Sequence, residues 1–417
     1  MPSTIFFLAG TLLLSLNLVR PFGLAISDWL YFVALVFAIV ETFTVDRRNI
    51  ICWVKNRFIV PAGLILFGAL ISTFNSNFFN VAVIEIIQMI YAITLFVSLI
   101  WVMVRRGKTD AIIQAFIFSG VFTASIAMVD FIKGTNFGPT LSGTPDVQFW
   151  GRYAGSLGHP NKFGYFLVIT ATLSLAKWIS LTPARSSFMR NIFWFILLSV
   201  QVFGIYLSNS VTAFAGLTFG FGMLILTTTS IMNRIRKAAI PVVLMSGIVI
   251  SIFFLSGTTI LFSFSSLNSR SITDALARVQ NTTAVSRINL YDAALTQIVQ
   301  NPLIGVGFDQ VSTSGIADDL RELPGTIHNT LLQMWYVGGV FAFVGWLMIY
   351  ISLGWATFTL IRRAKKYKIS PLFFGIAAAA LAILLMDQFQ DAIYQREKWL
   401  AFGLLVSWVW TTKKYVA

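Results

Sequence analysis

The chain has 417 residues, of which 57% are hydrophobic and only 11% charged, with a mean hydropathy of +0.80. That balance excludes a soluble globular domain. The formal charge of +14 raises nucleic acid as a partner, and a single cysteine, Cys52, excludes a disulfide framework without indicating a redox compartment.

Apolar runs long enough to cross a hydrocarbon core recur along the whole chain, which predicts an all-α polytopic membrane protein. The N-terminal MPSTIFFLAGTLLLSLNLVR has neither a basic leader nor a small-residue cleavage site, so it is expected to be a retained first span. Twelve spans are expected in all, at about residues 4–19, 27–45, 58–75, 79–104, 110–132, 163–181, 191–207, 211–232, 238–263, 328–361, 370–388 and 398–412. The connections then alternate in charge. DRRNIICWVKNR, RRGK, PARSSFMR, NRIRK, RRAKKYK and the tail TTKKYVA carry 19 Lys and Arg, whereas the connections on the other side carry 10 despite their greater length. The positive-inside rule puts both termini in the cytoplasm. The basic charge is therefore a topology signal, and no nucleic-acid partner is expected.

Two long connections, 133–162 and 264–327, fall on the non-cytoplasmic side, and both are too rich in apolar and aromatic residues to be disordered. The expected organisation is one membrane domain over 1–417, with 264–327 as a large external loop carrying short amphipathic helices. The only two histidines, His159 and His328, sit where these loops re-enter the membrane.

The chain has no phosphate-binding Gly-Lys-Ser/Thr loop, no Gly-x-Ser-x-Gly elbow and no Cys/His cluster. The loop acids, including the Asp318–Asp319 pair, lack the convergent spacing of metal ligands, so a metal-independent activity is expected, with no cofactor. External arginines are the positive signal: Arg152 with Lys162 in the first loop, and Arg270, Arg278, Arg287 and Arg321 in the second. External loops usually hold few basic residues. Guanidinium groups match phosphate oxygens with paired donors, which points to a lipid-linked diphosphate; lipid headgroups or loop acids would satisfy the same side chains.

In AVSRINLYDAALTQIVQNPLIGVGFDQV, residues Ile288, Tyr291, Leu295, Ile298 and Val299 share one helical face, with Ser286 as a plausible cap, Pro302 as a stop and Gly305-Val306-Gly307 as a flexible turn. Arg287 falls in the first turn, where exposed amides and a cation together favour phosphate. His328 is expected in the first turn of a membrane helix capped by Thr326. There the helix dipole favours neutral imidazole, able to act as general base on a sugar hydroxyl; an interfacial histidine bonding a loop carbonyl is the plainer alternative. His159, followed by Pro160 and Asn161, reads as a structural cap. Glu41, Glu85, Asp130 and Asp387 all lie within roughly two turns of a span end, which argues against the mid-membrane coupling site of a transporter.

SRINLYDAALTQIVQNPLIGVGFDQV followed by HNTLLQMWYVGGVFAFVGW resembles the core of the O-antigen ligase and polymerase superfamily, and GRYAGSLGHPNKFGYFL is similar to its upstream segment. The resemblance places this core at about 150–350. It implies a GT-C-like bacterial inner-membrane glycosyltransferase that moves a preassembled glycan from undecaprenyl diphosphate to lipid A–core, or a related acceptor hydroxyl, at the periplasmic face. It implies His328 as the group activating the acceptor and Arg287 as diphosphate binder. Arg152, Arg278 and Arg270 are further phosphate contacts, and Asn329, His159, Asn161, Lys162 and Tyr291 supporting or substrate-contact residues. A polymerase using the same donor, and a flippase of lipid-linked glycan, are the alternatives. Two departures stand out: Val211 follows Ser210 where relatives often have Arg, and Tyr336 replaces a frequent acid eight residues after the histidine.

Overall fold

The computed structural model describes residues 1–16, 25–45, 58–141, 151–181, 188–228, 285–308, 327–364, 369–390 and 392–411. All regular structure among them is helical: α1 (Pro2–Leu12), α2 (Ile26–Val45), α3 (Ile59–Ser72), α4 (Phe79–Thr94), α5 (Ile100–Arg105), α6 (Thr109–Lys133), α7 (Phe137–Leu141), α8 (Pro160–Ser180), α9 (Phe188–Ser208), α10 (Val211–Thr227), α11 (Val285–Gln300), α12 (Thr330–Ala364), α13 (Pro371–Met386) and α14 (Arg396–Thr411). A π turn at Leu95–Leu99 joins α4 to α5. The expected span at 238–263 lies outside the described residues, and helical structure falls within each of the other expected ranges without sharing its bounds. Five of these are long and apolar enough to cross a membrane: Ile26–Thr44, Thr109–Lys133, Pro160–Ser180, Phe188–Ser208 and Thr330–Arg363. The rest are shorter.

Helix α8 is the centre of the bundle. Every residue from Phe163 to Ala176 is buried, as expected of a helix that is apolar on all sides. Small residues bring its neighbours close: a Cβ on Gly375 of α13 would overlap Ala176, and one on Gly120 of α6 would overlap Thr170.

The connections separate into two sets at opposite ends. At one end Arg106 pairs with Glu41 at 2.7 Å and bonds Ser3, Lys177 pairs with Asp110, and Arg363 donates to the Val409 carbonyl. At the other, Asn75 bonds Gly305, Arg152 bonds Ser208, and Asn329 bonds Gln388. This division follows the alternation of charge in the sequence.

Helix α12 corrects the expectation of a single span over 328–361. Asp387 accepts from the Thr330 amide through its carbonyl at 2.8 Å and from the Tyr350 hydroxyl through its carboxylate at 2.8 Å. In an unbroken helix those two residues would stand about 30 Å apart. The helix is broken at Gly339, with φ 66° and ψ −166°. Residues 330–338 form one arm and 340–364 the other. The rings of Trp335 and Phe343, one on each arm, lie 4.7 Å apart. Only the second arm is long enough to be a span.

Candidate functional site

His328 occupies left-handed backbone, φ 58°, and is half-buried. A non-glycine residue held in that region costs about 1–3 kcal/mol and persists only where its surroundings fix it. The fixing contacts are on both sides. Asn329 caps the arm by accepting from the Leu332 amide at 3.0 Å, and its Nδ2 donates to the Gln388 carbonyl at 3.3 Å. Gln333 reaches back to accept from the Ile327 amide at 2.8 Å. The Thr330 hydroxyl donates to the Gln390 carbonyl at 2.8 Å. His328 is therefore not in the first helical turn, as expected, but just outside it: Asn329 is the cap, and Thr326 lies outside the described residues. The asparagine of the His-Asn pair acts by holding the turn.

The Asn-Pro-Leu-x-Gly-x-Gly stretch and the Gly-Gly pair meet in space. Where the α12 ladder breaks, Val306 donates to the Tyr336 carbonyl at 2.9 Å, Gly307 to the Val337 carbonyl at 3.2 Å, and Val340 to the Pro302 carbonyl at 3.0 Å. The Trp335 indole also donates to Pro302, at 3.2 Å. An apolar bundle leaves no water for the freed main-chain groups, so the loop satisfies them. Gly305, φ 79°, makes the approach possible: a Cβ there would stand 2.6 Å from the Gly339 nitrogen. Asn75, from the turn after α3, closes the clasp by donating to the Gly305 carbonyl at 2.8 Å.

Helix α11 leads into this clasp. It starts at Val285, so Ser286 lies in its first turn and not at its cap. Arg287 is in that same turn, while its side chain is outside the described set. The buried stripe is Tyr291, half-buried, with Ala294 and Ile298, spaced as one helical face. Leu295 and Val299 are 45% and 78% exposed, so of the expected face Tyr291 and Ile298 turn to the bundle, Leu295 and Val299 form an exposed apolar flank, and the Ile288 side chain lies outside the described set.

A second corner forms around the first long loop. Arg152, half-buried, donates through Nε to the Ser208 carbonyl at 3.0 Å and through a terminal nitrogen to Asn161 Oδ1. Burial holds its guanidinium below the usual arginine range. His159 is the N-cap of α8, accepting at Nδ1 from the Asn161 amide at 3.1 Å, which agrees with its reading as a cap. Lys162 is exposed one turn along. Burial, then the charges of Lys162, Arg152 and His328, push the His159 imidazole down to about 4. Part of the residue still reaches solvent, and the downward direction follows from crowding of the ring together with its positive neighbours. The same interaction puts His159 within electrostatic reach of His328. Val211 is 82% exposed beside Ser210, the cap of α10. The cation that the α9–α10 turn lacks in its own sequence is brought to it by Arg152. Arg270 and Arg278 lie outside the described residues.

Sequence reasoning missed the hub beneath the His328 turn. Asp387, fully buried, pairs with Lys398 at 3.1 Å and accepts from Tyr165 at 3.0 Å and Tyr350 at 2.8 Å, joining α8, α12 and α14. The Lys398 ammonium also lies 4.7 Å from the Trp346 ring centre. A second pair, Arg396–Asp28 at 2.7 Å, is bonded by Tyr91 at 2.9 Å. Both acids sit in apolar sequence, and nothing in the sequence identifies their partners. Among the described residues, no three His, Cys, Asp or Glu side chains gather as a metal site requires; most of the loop acids lie outside them.

Residues 193–347 match the O-Antigen ligase family model, which supports the O-antigen ligase superfamily, a glycosyltransferase-like enzyme family. The matched segment holds Arg287, the loop and arm joined in the clasp, and His328; Asn75, Arg152 and His159 precede it. The five long apolar helices are consistent with a membrane protein. Comparison with curated proteins gives no match.

Proposed function

We propose that the protein transfers a preassembled glycan from undecaprenyl diphosphate to lipid A–core, or a related acceptor hydroxyl, at the periplasmic face of the inner membrane, with both termini cytoplasmic. The observation that carries this reading is the clasp: the loop following the Arg287 helix is bonded by main chain to the arm that begins at His328. The clasp joins the two segments that carry Arg287 and His328, which supports assigning both to one site.

In the proposed step, the acceptor oxygen attacks the anomeric carbon while His328 takes its proton. The carbon–oxygen bond to the diphosphate breaks, and the leaving oxygen keeps the electron pair. Arg287 and Arg152 hold the departing diphosphate, with Arg278, Arg270 and Lys162 adding positive charge. A diphosphate needs little acid help to leave, so one base and several cations suffice, and a single displacement inverts the anomeric centre.

Deleting the gene and analysing the accumulated lipid-linked glycan tests the assignment. Long undecaprenyl-linked chains on the outer face are expected. Single units outside indicate a polymerase instead, and single units trapped inside a flippase.

A further inference from the structure

The loop joining α13 to α14 is fastened along the arm that follows His328. The Gln388 carbonyl accepts from Asn329 Nδ2 at 3.3 Å, and the Gln390 carbonyl from the Thr330 hydroxyl at 2.8 Å. The Ala392 amide donates to the same hydroxyl at 3.3 Å, and the Asp387 carbonyl accepts from the Thr330 amide at 2.8 Å. Residues 388–390 therefore run beside 329–330, the two positions that follow His328. The loop is also tied to its own helix: the Phe389 amide donates to the Met386 carbonyl at 3.0 Å, and Gln388 Nε2 to the Leu384 carbonyl at 3.2 Å.

Phe389, between the two glutamines, is 45% exposed. Among the described residues from 371 to 410 it is the only exposed one. Helices α13 and α14 are thus enclosed by their neighbours. They carry no exposed apolar stripe of the kind that Phe32, Val36 and Phe43 form on α2. Lipid along the helix flanks therefore does not account for the exposure of Phe389. Its ring opens at the end of the bundle that holds the His328 turn, on a loop fixed to that turn.

We propose that Phe389 is the platform on which the acceptor sugar stacks, with the C–H face of the pyranose ring lying on the phenyl ring. This rests on the reading of His328 as the group that takes the acceptor's proton. A hydroxyl within reach of His328 brings the sugar that bears it over the neighbouring residues 388–390. A phenyl face is apolar and carries partial negative charge, which matches the weakly positive C–H groups on one face of a pyranose. The side chain has two torsions to fix, and its loop is already held, so little order is lost on binding. Stacking also leaves the hydroxyl edge of the sugar free to meet the imidazole.

Two substitutions test the ring itself. F389L keeps an apolar side chain without a ring, whereas F389W keeps an aromatic face. Transfer is measured with the full-length protein in proteoliposomes, with undecaprenyl-diphosphate-linked glycan as donor and lipopolysaccharide ending at the core as acceptor. F389L is expected to raise the acceptor KM about 3–10-fold, with kcat, donor KM and melting temperature near wild type. F389W is expected to keep the acceptor KM within about twofold of wild type. An unchanged acceptor KM in F389L would show Phe389 to be a bare surface residue and overturn the proposal. Equal losses in F389L and F389W would overturn it too, as would a rise in donor KM matching that of the acceptor. A wild-type protein that transfers nothing to this acceptor overturns the transfer reading itself, a result seen before any variant is compared.

Discussion

Replacing Gly339 by alanine tests the clasp. With φ 66° and ψ −166°, Gly339 is in a region that residues with a Cβ rarely adopt, a cost of about 1–3 kcal/mol. The added methyl would also overlap the Leu303 carbonyl, and overpacking of this kind costs a further ~1–3 kcal/mol. Together they give about 2–6 kcal/mol, enough to displace the loop whose amides bond Tyr336 and Val337. Chemical unfolding of the purified protein measures the stability term, and glycan transfer in proteoliposomes the functional one. Gly339→Ala is expected to lower the unfolding midpoint and to abolish most transfer, since the arm that follows His328 loses its anchor. Gly222→Ala is the control: no atom lies within 4 Å of the added Cβ, and stability should hold or rise slightly. A Gly339→Ala protein with wild-type unfolding and transfer would refute the reasoning.

His328→Ala should remove transfer by the purified protein without lowering its melting temperature; retained transfer would end the general-base assignment. Lys398→Met leaves the Asp387 carboxylate buried and unpaired and should cost about 3–5 kcal/mol, with Asp387→Asn added to it restoring part of that loss in a double-mutant cycle. Arg152→Lys keeps the charge but cannot hold Ser208 and Asn161 together as the planar fork does, so a severalfold rise in donor KM with little change in kcat is expected from initial-rate kinetics. The His159 imidazole is held at about 4 against an ordinary 6.5, so the unfolded chain takes up its proton first as pH falls. Stability from the neutral ring is complete above about 6.5 and is lost between 6.5 and 4. Unfolding midpoints measured across that range should fall for the wild type and fall less steeply for His159→Asn.

Sequence alone determined the membrane class, the division of connections between two ends, and the position of His328 and Arg287 in the segment that matches the O-antigen ligase family. These are properties of local composition: a long apolar run must be helical in lipid, and excess lysine and arginine marks one side. The capping role of His159 was also legible, because a residue before proline is biased to extended backbone and can cap the helix that follows.

Tertiary structure decided the rest. The run from 328 to 361 has no local sign of being two arms, since a glycine pair is tolerated in a straight membrane helix. Gly339 breaks because Pro302, Val306 and Gly307 offer partners for the main-chain groups that the break frees. The cation at the α9–α10 turn was not legible either. Its own sequence has Val211, and Arg152 reaches the turn only because the first long loop folds back onto Ser208. Asp387 looked like an acid near a span end, and its link to Lys398, Tyr165 and Tyr350 exists only once three helices converge. Periodicity records which face of a helix is buried; which distant group satisfies a buried charge or a broken ladder is set by packing between helices far apart in the chain.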